Sequence, residues 1–248
     1  MLDVLEQGTV HFLYRPAVDV TSPDGLYDVA DLHLVLNPRD QYLYRLLAVG
    51  KKRLPDVQAE GERFWGYVAF VTADPKALAE FLGPQSYTTE TLGERTRPAV
   101  RPAGAGAYSL LRRGRHTELV YVLEFPEEPG QVQEALNIRS EGSVLLAVKN
   151  PRAASPPDVG LSEGRAAEFP AELQELFEGR RWRAVDPPSF LDHPGAELLL
   201  VSQTADLGDR EVAVELQDAP DDPDEVFRQL RLDRGEHSTT PLLEGQWA

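Results

Sequence analysis

The stretch AYSLLRRGRHTELVYVLEF, residues 107–125, carries the clearest structural signal in the chain. Ala107–Leu111 and His116–Phe125 are rich in Tyr, Leu and Val and read as two strands. Between them Arg112-Arg113-Gly114-Arg115 supplies a turn with Gly at its centre. Downstream, Gln131–Leu136 reads as a short helix and Val144–Val148 as a buried strand. The expectation is a hairpin, a helix and a return strand.

The same signals recur on both sides. Residues 8–15, with His11 on a different face from Phe12 and Tyr14, and residues 64–71 read as strands. Asp31–Leu36 and Tyr42–Val49 pair as a hairpin around Asn37-Pro38-Arg39-Asp40. Further strands are expected at Arg181–Val185, Glu197–Ser202 and Glu211–Leu216. Helices are expected at Asp74–Leu82, Phe169–Gly179 and Asp222–Leu230, each with Pro in its opening turn. Asp222 and Glu225 have the spacing of a capping box. Helices of two or three turns are too short to stand alone and must pack on a sheet.

These elements predict an α+β fold: a mainly antiparallel or mixed sheet system of about ten strands with a few short packing helices. The chain is expected to be a single compact domain over residues 1–248. It would carry a long loop near 150–168 and an acidic C-terminal segment at 206–248, with a boundary near residue 155 as the alternative.

Of 248 residues none is Cys, so disulfides and thiolate metal sites are excluded. The N-terminal residues show no basic region followed by an apolar core, and no apolar run approaches bilayer length. A cytoplasmic setting without membrane contact is expected. A net charge of -16 disfavours general nucleic-acid binding, because the field of the molecule repels polyanions. The five histidines, His11, His33, His116, His193 and His237, show no metal-ligand spacing. No metal and no cofactor is expected. Gly104-Ala105-Gly106 reads as a turn, since it precedes a strand and not a helix.

The candidate site is a local reversal of charge. Arg95, Arg97, Arg101, Arg112, Arg113 and Arg115 fall within one span that contains no carboxylate, and His116 follows directly. Guanidinium groups grip phosphate or carboxylate with paired hydrogen bonds. The first reading is therefore a binding protein that holds an anionic small molecule or an acidic protein surface. The plain alternative is a solvated run that neutralises the chain's own acids and guards a strand edge. An enzyme acting on a phosphorylated or carboxylated small molecule is a second functional reading. A structural subunit of a homo-oligomer, assembled by basic and acidic surfaces, is a third.

Overall fold

A computed structural model describes residues 3–56, 59, 61–89, 91, 93–154, 160–162, 164–203, 214 and 216–248. The hairpin at its centre joins strand β7 (Arg101–Arg113) to β8 (His116–Phe125), and β8 pairs onward with β9 (Glu141–Lys149). Strand β11 (Glu197–Ser202) follows on the other edge of β9. Four N-terminal strands form a second meander: β1 (Asp3–Pro16), β2 (Val29–Pro38), β3 (Tyr44–Val49) and β4 (Arg63–Thr72). The two meanders meet at two antiparallel seams, β1 with β7 and β4 with β11.

The sheet therefore closes on itself. The order is β1-β2-β3-β4-β11-β9-β8-β7 and back to β1, with one further strand, β10 (Trp182–Ala184), on β9. The α+β expectation is overturned: this is an eight-stranded, closed, antiparallel β-barrel with one extra strand and short helices around it. Strand positions were legible from local periodicity. The two seams join residues far apart in the chain, from Tyr14 with Arg101 to Val201 with Arg63, and no local pattern records such pairings. Closure leaves no row of unpaired backbone groups around the barrel wall, the usual liability of an open sheet.

Side chains alternate in and out along each strand. Val10, Phe12 and Tyr14 of β1 point inward with Leu32, Leu34 and Leu36 of β2 and Leu119 and Tyr121 of β8. An eight-stranded barrel is just wide enough for side chains to fill it. Its ends are plugged as well. At one end sit Phe190 and Leu191 of a short 3-10 turn (Pro188–Asp192), with Phe177. At the other lie Val132 and Leu136 of α2 (Gln131–Leu136), with Trp247 edge-on to Tyr14.

Part of the outer wall is covered too, which explains why β1 is apolar on both faces. Leu13, Val35, Leu46 and Ala105 face outward beneath α1 (Pro75–Leu82), α4 (Pro223–Leu230) and α5 (Thr240–Leu243). Helices α1 and α4 begin alike, each with an Asp cap followed by Pro. The Asp74 Oδ1 accepts from the Lys76 N–H at 2.9 Å, and the Asp222 Oδ1 from the Glu225 N–H at 2.7 Å. The capping box at Asp222 is only half closed, because Glu225 accepts from the Asp221 N–H instead. The helix expected at Phe169–Gly179 shrinks to α3 (Ala171–Glu175), followed by turns.

One further reading changes, one element is new, and one expected strand goes undescribed. Gly104-Ala105-Gly106 is buried strand within β7, not turn; a Cβ on Gly106 would lie 2.0 Å from the Val122 carbonyl oxygen. A small hairpin, β5 (Gln85–Thr89) with β6 (Gly93–Arg97), stands apart from the barrel and had no periodicity to announce it. The strand expected at 211–216 falls largely outside the described residues, as do 155–159 and 163 of the long loop. The end of that loop is tied down: the Ala167 N–H donates to the Gly195 carbonyl at 3.0 Å.

Several buried polar groups interrupt this apolar frame, and two arrangements bear on stability. Arg45 of β3 is fully buried and binds Glu6 at 2.6 Å and Asp192 at 2.6 Å, while the Tyr108 hydroxyl donates to Glu6 at 2.8 Å. This network pins the 3-10 plug to the barrel wall. Burial and the Glu6 charge push the Tyr108 phenol well above its ordinary value, which keeps it a donor. On the outer face of β1 and β2, His11 and His33 are buried without hydrogen bonds of normal geometry. Burial, partly offset by Gln229 of α4, lowers His11 from 6.5 to about 4. Burial, aided by Arg15 and Arg97 and opposed by Asp31, does the same to His33.

Replacing Arg45 by Met strands Glu6 in the interior and should cost about 3–5 kcal/mol in urea unfolding. The Glu6→Gln change made together with it should recover part of that loss.

The histidines give stability a pH dependence of known sign. Both have folded pKa values below their unfolded ones, so the unfolded chain binds more protons. Their neutral forms keep full stability above about pH 6.5, and it falls as pH drops toward 4, by up to ~3 kcal/mol for each histidine. The His11→Gln variant should flatten the curve of unfolding midpoint against pH across that window.

Candidate anion-binding site

Closure divides the predicted arginines between opposite ends of the barrel. Arg95 and Arg97 lie on β6 and Arg101 opens β7, whereas Arg112, Arg113, Arg115 and His116 form its far end. The two groups sit toward the two ends of this one strand, with only residues 102–111 of it between Arg101 and Arg112. One continuous basic surface is ruled out by this placement.

The first group is largely committed, although the buried Arg101 Nη1 has no partner among the described residues. Arg95 binds Asp19, and Arg97 binds Asp31 at 2.8 Å. Arg101 is buried, and its Nη2 donates to the Thr21 carbonyl at 2.6 Å. These three stitch the β5–β6 hairpin and the start of β7 to the 19–31 segment.

The second group stands at a junction. Strand β8 pairs with one edge of β9 only as far as Thr117 opposite Leu146. On the same edge β10 takes over at once, with Ala184 opposite Ala147 and Trp182 opposite Lys149. The β7–β8 tip therefore runs past β10 instead of pairing with β9. The tip is a two-residue turn, Gly114-Arg115, flanked by the Arg113–His116 pair. Gly114 has φ +62°, the left-handed value that a Gly at the first central position adopts without steric cost.

Between tip and β10 lies a cleft of about 410 Å³. Arg112, Arg115 and His116 line it from the hairpin, and Arg180, Trp182, Arg183 and Asp186 from the opposite side, with Glu178 at the rim. Four guanidinium groups thus face two carboxylates. Arg112 is committed: it binds Asp186 at 2.9 Å and also Asp3, clamping the hairpin to the corner after β10. Arg183 is held in place by two carbonyls, Asp186 at 3.1 Å and Leu176 at 2.6 Å, through Nε and Nη1. Among the described residues Arg180 reaches only the exposed Glu178, at 2.8 Å. Among the described residues, Arg115 and His116 have no side-chain partner. Arg113 lies off the cleft, 61% exposed and 3.5 Å from Glu118.

Such a cleft can hold an anion on pre-positioned donors. Arg115 and His116 were singled out from sequence. Arg180, Trp182 and Arg183 were not, although the run Gly179-Arg180-Arg181-Trp182-Arg183 is a second local charge reversal. It was short and lay far along the chain, and only the shared edge of β9 brings it to the first.

Several carboxylates of the acidic segment find partners within the chain. Asp218 binds Arg39 at 2.5 Å, Asp222 caps α4, and Asp224 binds Arg234. Asp31 and His33, close in sequence, serve an ion pair and a buried wall. Among the described residues no three His, Asp or Glu side chains assemble as metal ligands. No helix among them is long and apolar enough to cross a membrane. Comparison of the chain with family models, curated proteins and solved structures finds no match in any of the three.

Proposed function

We propose that the chain is a binding protein whose ligand is a small phosphate- or carboxylate-bearing molecule held between the β7–β8 tip and β10. The observation that carries this reading is the surplus of guanidinium in one cleft of an otherwise strongly acidic molecule. Placing cations so close together costs energy through mutual repulsion, and a bound anion removes that cost. Arg183, fixed by two carbonyls, loses little side-chain freedom when it binds, which favours affinity. Arg115, Arg180 and His116 would supply the remaining donors. A cytoplasmic setting remains part of the proposal on the sequence argument alone.

Inorganic pyrophosphate is a suitable first probe. The melting temperature of the wild-type protein should rise with its concentration, as linkage requires of a ligand that binds the folded state. The Arg115→Ala/Arg180→Ala variant should fold normally and bind at least about tenfold more weakly by calorimetry. The Arg95→Ala/Arg97→Ala variant should bind as the wild type does. Equal binding by all three proteins would remove the cleft from the account.

A further inference from the structure

We infer that the ligand of this cleft is an aromatic phosphate, of which a mononucleotide is the simplest natural form. This rests on the anion reading above and adds a ring to it. The observation is Trp182. Of the three tryptophans, Trp65 stacks on Tyr67 at 5.2 Å and donates to Glu197 at 3.0 Å. Trp247 packs edge-on against Tyr14 at 5.4 Å. Trp182 alone lines the cleft, half-buried, and among the described residues it has no aromatic or guanidinium partner. An indole offers a large apolar face on which a flat ring can stack, and this one stands in the cleft beside Arg115 and Arg180.

The size of the cleft points the same way. At about 410 Å³ it has room for a ring-bearing ligand, within the roughly 300–1,000 Å³ of small-molecule sites in general. A bare oxyanion would leave most of that space to water. A longer nucleic-acid strand would meet the repulsion of a chain with net charge -16, which favours a single nucleotide unit. The phosphate is assigned to Arg115 and Arg180, and the ring to the Trp182 face, since aromatic side chains stack with any base.

Calorimetry with adenosine diphosphate and with pyrophosphate, on the wild type and on Trp182→Leu, separates the ring from the anion. Leu keeps an apolar side chain on β10, and Trp182→Phe provides a second, ring-bearing variant. Adenosine diphosphate should bind the wild type at least about tenfold more tightly than pyrophosphate. Trp182→Leu should abolish that advantage while leaving pyrophosphate binding unchanged, and Trp182→Phe should restore part of it. Equal affinity for both probes in the wild type, or an advantage that survives Trp182→Leu, would overturn the aromatic assignment and leave the anion site standing. Failure of both probes to bind the wild type would overturn the two together.

Discussion

Strand β9 gives one edge to two strands in succession, and the site depends on that arrangement. Backbone pairing passes from β8 to β10 between Leu146 and Ala147, with no residue skipped on β9. Hydrogen bonding of the main chain thus sets how two distant segments meet, independently of their side chains. Because β10 occupies the edge, the hairpin tip has nowhere to pair and stands beside it. Arg112 then fixes the tip through Asp186 and Asp3. The guanidinium groups are brought together by sheet geometry, and their repulsion is tolerated because the sheet is held by everything else.

What holds it is the closed barrel. Its interior is filled and both ends are plugged, so the proposed site lies at the rim, where loops can vary without disturbing the core. The Arg45 network connects the two. It links β1, β3 and β7 to the 3-10 turn that follows β10, close to the corner that Arg112 grips. A buried ion pair is a weak source of net stability, but breaking one side of it is expensive. The network therefore acts as a register pin for the plug, and through it for the far wall of the cleft.

Much of the barrel was legible in the sequence, strand by strand. Leu32, Leu34 and Leu36 alternate with period two, and the Asp-Pro openings of α1 and α4 are local signals that name their own structure. Closure was not legible, because the β1–β7 and β4–β11 seams depend on which strands meet, and many strands of similar composition could have met. The same limit applied to the site. The arginine run from Arg95 to Arg115 looked like one feature, yet β7 is long enough to carry its two halves to opposite ends. Arg180 and Arg183 lie far along the chain from Arg115, yet they line the same cleft from its opposite side. Proximity in sequence was a poor guide here because an extended strand separates its ends more than any other element of equal length.

The most direct measurement is an amide NMR titration of the isotopically labelled protein with pyrophosphate. Residues 114–116 and 180–184 should shift together along a single saturation curve, while Arg95 and Arg97 stay still. Shifts confined to one segment, or spread over the β5–β6 hairpin, would contradict the claim that the shared edge of β9 builds one binding cleft from two distant parts of the chain.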